Sequence, residues 1–401
     1  MRPLLFHLLQ LPDPCPMIFH VNSPLHLFLS RKLLLLSVMV PFIFLFVFFQ
    51  CFFPLISSTA AVAAVQPPLA PALYVFGDSL LDSGNNNLLP TIARANYSPY
   101  GANFPTGNTG RFTNGKTLAD FAAEFLRLPY SPPYLSVKSS IPLTGLNYAS
   151  GGCGILPETG RPYGKCLHLE EQFDLFEKTV NSELPSHFNN PEKLADYLSK
   201  SIVAVSIGSN DYINNYLETT LFNTSQRFAP EPFAQLLVDS LSRQLKRLYN
   251  IGARKVIVFE IGPIGCIPSI TRKYKHNGQC VEDKNQLVTY FNSKLLAMLA
   301  NLTTTLKGSN FVLGHVHWLG YDAAINPSRY GMADATNPCC TAWFNGTSGC
   351  IPLLKPCPNV DKHYFWDGYH LTEAMYSLMA ARCINDKSVC IPLNLKDLVD
   401  V

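Results

Sequence analysis

Residues 74–87 read YVFGDSLLDSGNNN, and this stretch decides the fold. The apolar run from Ala72 to Phe76 is typical of a buried strand, and Gly77 ends it. A small polar turn and a loop rich in asparagine follow. The pattern predicts that Ser79 sits at the end of the strand, where nearby backbone N–H groups can hold an oxyanion. An ordinary loop after a strand has a similar composition, so other parts of the chain must distinguish the two.

The first 65 residues differ in composition from the rest. Two basic residues precede the almost wholly apolar segment 33–49, and the alanine-rich stretch 57–65 follows. This is the layout of a secretory signal, so we interpret 1–65 as a leader that is removed and the protein as secreted. The alternative is a retained signal anchor, because the apolar character extends to residue 56 and approaches a bilayer span. Membrane contact is expected only through an uncleaved leader.

The chain after the leader is long enough to bury the core of one large domain. We place this domain at 70–390 and treat 391–401 as a C-terminal tail. The full chain has 31 Lys and Arg residues against 28 Asp and Glu residues, and it shows no basic stripe. This balance argues against nucleic acid as a partner.

Twelve cysteines are present, and all but two of them follow the leader. That even number predicts disulfides in a secreted chain. Local pairs such as Cys153–Cys166 and Cys266–Cys280 are consistent with the spacing, although the connectivity stays open. Paired Cys-x-x-Cys motifs are lacking, so we expect no structural metal. Four sequons agree with a secretory route. These glycosylation candidates are Asn96, Asn223, Asn301 and Asn345.

Strand-length apolar runs alternate with helical patterns along the chain. Further strands are predicted at 145–149, 202–207, 255–261 and 311–313. Helices are predicted at 117–128, 168–180, 191–199, 232–251, 288–306 and 372–384. This alternation predicts a parallel sheet with helices on both faces, and ligands bind at the carboxyl ends of the strands in such sheets. Residues 327–358 instead predict a loop-rich excursion tied by disulfides.

His370 is the histidine best placed to activate Ser79. It lies in the loop before the last predicted helix, and Asp367 precedes it by three residues. That spacing lets the carboxylate hold one ring nitrogen while the other faces the serine. The histidines at 315 and 317 follow a predicted strand and are outside candidates for the same role.

Polar clusters follow three of the predicted strands, at 77–79, 150–152 and 208–211. We expect these clusters to converge at one edge of the sheet. The oxyanion donors would then be the backbone N–H of Ser79, that of Gly151 (or Gly152) and the side-chain amide of Asn210. By contrast, Asp78 is interpreted as a turn-shaping residue and the asparagines at 85–87 as loop scaffolding.

Four ordered blocks carry a resemblance to a known family. They read FGDS at 76–79, NYASGG at 147–152, GSND at 208–211 and DGYH at 367–370, and GPIGCIP at 262–268 adds to them. The chain resembles the GDSL esterase/lipase family, the plant-type branch of the SGNH hydrolases, over nearly all of 70–390.

That resemblance implies a three-layer α/β/α, flavodoxin-like fold without metal or cofactor. It further implies that Ser79 is the nucleophile, that Asp367 and His370 are the supporting acid and base, and that Gly151 and Asn210 help to form the oxyanion hole.

Our hypothesis is hydrolysis of a small-molecule or lipid ester through an acyl-enzyme, with no stable protein partner implied. An alternative is an acyltransferase that acts on extracellular, cutin-like acyl esters, with an alcohol in place of water. A further alternative is a catalytically inert secreted binding protein. The substrate is not assigned, because the loops at 99–114 and 327–358 would set the acyl length.

Overall fold

The computed structural model describes residues 66–401. The leader predicted at 1–65, with its alternative of a signal anchor, lies outside the described residues. Within 66–401, no helix is both long and apolar enough to cross a membrane.

Between residues 66 and 401, seven strands form two sheets. In chain order they are β1 (Leu73–Gly77), β2 (Ile202–Ser206), β3 (Lys255–Phe259), β4 (Asn310–Gly314), β5 (Asp334–Pro338), β6 (His363–Phe365) and β7 (Cys390–Ile391). The central sheet has the order β1-β2-β3-β4-β7, and β5 pairs with β6. The first four strands are parallel, whereas β7 runs antiparallel to β4. The central sheet is therefore mostly parallel, with one antiparallel strand at its edge.

A further extended segment, 144–150, runs beside β1. The backbone N–H groups of Leu73 and Val75 donate to Thr144 and Leu146, each at 3.0 Å, and Ser150 donates back to Gly77 at 3.0 Å. In chain order, β1 is the first parallel strand, the segment 144–150 is the second, and β2, β3 and β4 are the third to fifth. Their spatial order in the sheet is then 2-1-3-4-5, which is the flavodoxin-like order. This segment corresponds to the short strand predicted at 145–149.

Eight α-helices of six or more residues cover the sheet in the described part of the chain. They are α1 (Leu118–Leu126), α2 (Leu169–Lys178), α3 (Pro191–Lys200), α4 (Pro230–Ile251), α5 (Glu282–Thr305), α6 (Val316–Ile325), α7 (Glu373–Asn385) and α8 (Leu395–Asp400). Successive strand residues point to opposite faces, which divides the core in two. Tyr74 and Phe76 pack with α2, α4 and α5, while Leu73 and Val75 pack with α1, α6, α7 and α8. The predicted three-layer α/β/α fold is confirmed.

The segment interpreted as a tail is folded onto the domain. Its residues complete β7 and form α8, in which Leu395 and Leu398 are buried. The Nζ of Lys255 donates to the Val399 carbonyl at 2.7 Å, which ties α8 to the start of β3. The burial of Leu395 and Leu398 makes the last residues part of the core rather than a separate tail.

Five disulfides lie in the described residues. The predicted pairs Cys153–Cys166 and Cys266–Cys280 are both present. The other three pairs are Cys339–Cys357, Cys340–Cys350 and Cys383–Cys390. The excursion predicted at 327–358 is thus held by two disulfides, and it also contributes β5. Because the sulfurs of Cys339 and Cys357 are joined, they are not free to bind a metal beside His363.

Candidate active site

Ser79 lies on the tight turn that follows β1. The Asp78 N–H donates to the Ser206 carbonyl at 3.0 Å, and its Oδ1 accepts the N–H of Leu80 at 3.0 Å. Gly77 opens the turn at a φ of 146°, a conformation that favours glycine. The Gln172 side chain braces Gly77 by bonding both its N–H and its carbonyl at 2.8 Å. Asp78 therefore shapes the turn, as its position in the sequence indicates.

His370 and Asp367 reach this turn from the far end of the chain. The His370 Nε2 lies 2.8 Å from the Ser79 Oγ, across 291 residues of sequence. The His370 Nδ1 lies 2.8 Å from each carboxylate oxygen of Asp367. With the Nδ1–H donating to Asp367, Nε2 is left to accept the proton of the serine hydroxyl. The structure thus brings together the three residues that the motifs single out.

Asp367 is fully buried and is held by four donors. Besides the ring of His370, the N–H groups of Tyr369 and His370 donate to its Oδ1 at 2.8 Å. The Tyr100 hydroxyl donates to its Oδ2 at 2.5 Å. Burial acts to raise the pKa of this carboxyl, but the charge of His370 and these hydrogen bonds outweigh it, so the pKa lies below its usual value. Nothing in the sequence around Tyr100 indicates this contact.

The two glycines of the second block have different surroundings. The Gly151 N–H donates to the Asp82 Oδ2 at 3.0 Å, and the Gly151 carbonyl accepts from the Asn86 amide at 2.7 Å. Gly152 lines the cavity in front of Ser79, and its N–H has no partner within residues 66–401. Of the two glycines, Gly152 therefore offers a free N–H at the cavity, whereas Gly151 is held by Asp82 and Asn86.

Asn210 lies in the helical turn that follows β2, and it also lines the cavity. Its Nδ2 donates one hydrogen to the Cys153 carbonyl at 2.9 Å, and its Oδ1 accepts from Asn214 at 2.7 Å. These two bonds fix the plane of the amide. The second Nδ2 hydrogen remains available to a substrate atom.

Two buried carboxyls hold the loops around these donors. Asp82 accepts the N–H groups of Gly84 and Asn85 as well as that of Gly151. Asp211 accepts three donors, the N–H groups of residues 155 and 156 and the Thr159 hydroxyl. Burial raises the pKa of each to about 6, although these hydrogen bonds oppose it. Each carboxyl thus joins two of the loops that surround the candidate site.

The asparagines at 85 and 86 act as scaffolding, as the sequence indicates. The Asn85 Nδ2 donates to the carbonyls of Asn147 and Ala149 at 2.9 and 2.8 Å. The Asn86 Oδ1 accepts the Ser150 hydroxyl at 2.5 Å. Both side chains therefore hold the second block against the first.

A cavity of about 340 Å³ opens at Ser79, and its walls are mostly apolar. Both loops expected to set acyl length contribute to it. Tyr100 and Phe112 come from one loop, and Trp343 and Gly349 come from the disulfide-tied excursion. The cavity can hold the apolar chain of an ester. The carbonyl of that ester would then meet the Ser79 hydroxyl, the His370 imidazole and the N–H donors of Gly152 and Asn210.

The outside candidates at 315 and 317 lie away from the serine. The His315 Nδ1 lies 2.8 Å from the Glu260 Oε1, and the His317 backbone N–H donates to the same oxygen at 2.7 Å. Neither histidine contacts Ser79 or Asp367. Glu260 itself lines the cavity, and the sequence analysis missed it because a lone acid after a strand carries no motif.

The chain is similar to a known protein family and to several known proteins. A family model described as GDSL-like Lipase/Acylhydrolase matches residues 73–383. GDSL esterase/lipase 7 of Arabidopsis thaliana is 48% identical over 78% of this chain and 87% of its own length. Another Arabidopsis thaliana GDSL esterase/lipase is 39% identical over 85% of this chain and 91% of its own. A crystal structure of phospholipase A1 from Streptomyces albidoflavus is 16% identical, at a TM-score of 0.36, over 77% of this chain and 95% of its own. Because the family model spans most of the described residues, the chain belongs to the GDSL-like lipase/acylhydrolase family.

Proposed function

We propose that this chain is a carboxylic ester hydrolase in which Ser79 is the nucleophile and His370 the general base. The observation that carries the proposal is the hydrogen-bonded series from the Ser79 Oγ through His370 to the buried Asp367, with 2.8 Å at each step. A serine hydroxyl needs such a base, because it is a weak nucleophile while it keeps its proton.

In the proposed reaction, the His370 Nε2 takes the Ser79 proton as the Oγ attacks the ester carbonyl. Asp367 stabilises the imidazolium that forms. The tetrahedral intermediate collapses, the alcohol leaves with the proton from His370, and an acyl-enzyme remains. Water then attacks the acyl carbon, again with His370 as base, which releases the acid and restores the serine.

We assign the oxyanion hole to the N–H groups of Ser79 and Gly152 and to the Nδ2 of Asn210. The free N–H of Gly152 supports its choice over Gly151, whose own N–H is used by Asp82. Gly151 then acts as a positioning residue. Removal of one oxyanion donor lowers turnover by a factor on the order of 100 to 1,000 in other enzymes, so Asn210→Ala should fall in that range.

The test of the hydrolase assignment is Ser79→Ala. We expect it to abolish p-nitrophenyl butyrate hydrolysis and labelling by a fluorophosphonate probe, while the melting temperature stays that of the parent. Ser83→Ala is a matched control, because Ser83 lies in the same loop but does not line the cavity. Retained hydrolysis in Ser79→Ala would overturn the assignment, and a parent protein that neither hydrolyses esters nor labels would favour an inert binding protein.

We also propose that the protein is a secreted glycoprotein. Five disulfides and four exposed sequon asparagines support this assignment. N-terminal sequencing of protein expressed in plant cells should find a chain that begins near residue 66, and glycosidase treatment should lower its apparent mass. A chain that keeps its first residues in the membrane fraction would favour the anchored alternative.

A further inference from the structure

The side-chain amide of Asn210 belongs to a longer series of hydrogen bonds. Its Oδ1 accepts the Nδ2 of Asn214 at 2.7 Å, and the Asn214 Oδ1 in turn accepts the hydroxyl of Tyr163 at 3.0 Å. At its other end the series reaches the Cys153 carbonyl, which accepts the Asn210 Nδ2 at 2.9 Å. The series therefore runs from a carbonyl through two amides to a hydroxyl, and Tyr163, Asn214 and Asn210 all line the cavity.

Each hydrogen bond in this series fixes the direction of the next one. A carbonyl oxygen can only accept, so the Asn210 atom beside Cys153 must be the amide nitrogen. The Asn210 oxygen then needs a donor, and the nitrogen of the Asn214 amide supplies it. The Asn214 oxygen is left facing Tyr163, whose hydroxyl donates to it. Burial raises the pKa of Tyr163, and the charge of Glu218 adds to this effect, so the hydroxyl keeps its proton.

The direction of the Asn210 amide matters because its two ends carry opposite partial charges. With the nitrogen toward the cavity, the second Nδ2 hydrogen can stabilise a negative oxygen. If the amide turned over, its Oδ1 would face the same place and repel that oxygen. The bond to Cys153 holds only the nitrogen, whereas the bond from Asn214 also holds the oxygen, so the amide is fixed at both ends.

The backbone holds the members of the series in place. Asn210 and Asn214 lie four residues apart on successive helical turns, so their side chains stack on one face. The second of these turns, Tyr212–Tyr216, is π-helical, a rare form that is frequent at functional sites. The Tyr163 carbonyl accepts the Ile92 N–H at 2.8 Å and the Thr91 hydroxyl at 2.9 Å, which fixes the position of Tyr163.

Tyr163 also lies beside a second donor of the proposed oxyanion hole. A Cβ placed on Gly152 would lie 3.6 Å from the Cδ2 of the Tyr163 ring. The ring is therefore next to Gly152, while the hydroxyl reaches Asn210 through Asn214. One side chain thus adjoins one proposed donor directly and is linked to another by two hydrogen bonds.

We propose that Tyr163 and Asn214 are positioning residues of the oxyanion hole, which orient the Asn210 amide so that its Nδ2 points to the developing oxyanion. The inference rests on the proposed hydrolase function and on the role assigned to Asn210. Neither residue needs to touch the substrate for this role. Loss of the series should lower the rate of the chemical step rather than the affinity for the ester, because the oxyanion develops only in the transition state.

The test compares kcat and KM for p-nitrophenyl butyrate in three single variants. Asn210→Ala measures the full effect of the donor. Tyr163→Phe removes only the hydroxyl and keeps the ring beside Gly152, whereas Asn214→Leu keeps the size of the side chain without its amide. We expect Tyr163→Phe to lower kcat about threefold and Asn214→Leu to lower it about tenfold, each with KM unchanged, since a neutral hydrogen bond contributes effects of this size.

Tyr216→Phe is the matched control. The Tyr216 hydroxyl comes from the same helical turn as Asn214, but it donates to the Phe228 carbonyl at 3.0 Å and does not line the cavity. This variant should keep the kcat of the parent. Melting temperatures of all variants separate a loss of catalysis from a loss of folded protein. If Asn214→Leu fails to fold, Tyr163→Phe still tests the series, because it removes a single oxygen atom from a half-buried side chain.

A double-mutant cycle shows whether the two residues act through Asn210. Tyr163→Phe and Asn214→Leu are each combined with Asn210→Ala. When the amide is absent, its positioning residues have nothing left to orient, so the second substitution should change kcat little. A structural role elsewhere in the protein would instead lower kcat by the same factor in both backgrounds.

Each result has a distinct meaning. A parent-like kcat in both Tyr163→Phe and Asn214→Leu, together with a low kcat in Asn210→Ala, would overturn the positioning roles alone. Equal factors in the two backgrounds, or a rise in KM at constant kcat, would also overturn them. A parent-like kcat in Asn210→Ala would show that this amide is no oxyanion donor, and the positioning roles would fail with it. The hydrolase assignment is tested separately by Ser79→Ala, so it can stand when the series fails.

Discussion

The Tyr100 hydroxyl donates to the Oδ2 of Asp367, and both oxygens of this carboxylate also lie 2.8 Å from the His370 Nδ1. Its hydrogen bond to Oδ2 and the two backbone bonds to Oδ1 fix the carboxylate plane against the imidazole. We therefore assign Tyr100 as a positioning residue of the proposed triad. The loop at 99–114, which carries Tyr100, would therefore support the proposed triad as well as form part of the cavity wall.

We predict that Tyr100→Phe lowers kcat about tenfold with little change in KM, because one charge-assisted hydrogen bond is lost from the triad carboxylate. The measurement is steady-state hydrolysis of p-nitrophenyl butyrate. Tyr97→Phe is the matched control, since the Tyr97 hydroxyl donates to the Cys350 carbonyl and not to Asp367. Equal kcat in Tyr100→Phe and the parent would contradict the assignment.

Asp78 has a different role from Asp367, although both are buried. Its Oδ2 has no hydrogen-bond partner in the described chain, and burial raises its pKa from 3.8 to about 7. The protonated form is therefore favoured in the folded state. Its contribution to stability is fully present below pH 3.8 and is lost as the pH rises to about 7.

Asp78→Asn should remove this pH dependence. We predict that the melting temperature of the variant, relative to the parent, rises by several degrees between pH 4 and pH 8, because the amide has no charge to bury. Asp82 and Asp211 titrate in both proteins, so the difference isolates Asp78. The exposed Asp239→Asn serves as control, and a constant difference across this pH range would contradict the prediction.

Sequence patterns predicted Ser79, Asp367, His370 and Asn210 as a set. The structure places Ser79, His370 and Asn210 at one cavity, and Asp367 is buried against His370. Local motifs are informative at these positions because the turn chemistry itself is encoded in a few adjacent residues. Tyr100 and Glu260 could not be found in this way. Their contacts depend on loop paths and strand order, which only tertiary packing determines.

At the scale of elements, β1 and its turn depend on a single glycine. A Cβ at Gly77 would lie 2.1 Å from the Ser206 carbonyl oxygen, and its φ of 146° is unfavourable for other residues. The close approach of β1 to β2 and the exit angle of the chain toward Ser79 both require this residue.

We predict that Gly77→Ala destabilises the protein by at least about 2 kcal/mol, from backbone strain and steric overlap together. Chemical denaturation measures the change in the free energy of unfolding. Gly262→Ala is the matched control, because a Cβ there meets nothing within 4 Å and no positive φ applies. A similar, small loss of unfolding free energy in Gly77→Ala and Gly262→Ala would contradict this prediction.

Continuous apolar runs predicted β1 to β4 well, since strands buried on both faces are apolar throughout. The predicted helices agree with the structure within a few residues at most ends, although α5 begins at Glu282 rather than 288. Sequence patterns did not predict α6, β7 or α8, nor the separate pair of strands β5 and β6. Those elements are short or lack a strong periodic pattern, and they are stabilised by packing on the sheet and on α7.

At the scale of the whole molecule, the disulfide-tied excursion forms one wall of the cavity. Cys340–Cys350 closes a loop that contains both Trp343 and Gly349, which line the cavity. The disulfide therefore links the stability of the excursion to the shape of the substrate site.

We predict that the double variant Cys340→Ala/Cys350→Ala lowers kcat/KM for long-chain esters several times more than for short-chain ones. It should also lower the free energy of unfolding by about 2–3 kcal/mol, as expected for a disulfide across a short loop. A panel of p-nitrophenyl esters from acetate to palmitate measures the effect. Cys383→Ala/Cys390→Ala removes a disulfide outside the cavity, so it should destabilise the protein without changing chain-length preference. The same chain-length preference in both double variants would contradict this prediction.

The sequence separation of 291 between Ser79 and His370 has a consequence for biosynthesis. Chain synthesis proceeds at ~5–20 residues per second, so tens of seconds separate the synthesis of Ser79 from that of His370. A nascent or prematurely ended chain that stops before residue 363 contains the serine turn but neither His370 nor Asp367. Under the proposed mechanism, esterase activity therefore arises only when the C-terminal segment has been made and has folded against β1, and incomplete products are inactive toward the lipids of the cell that makes them.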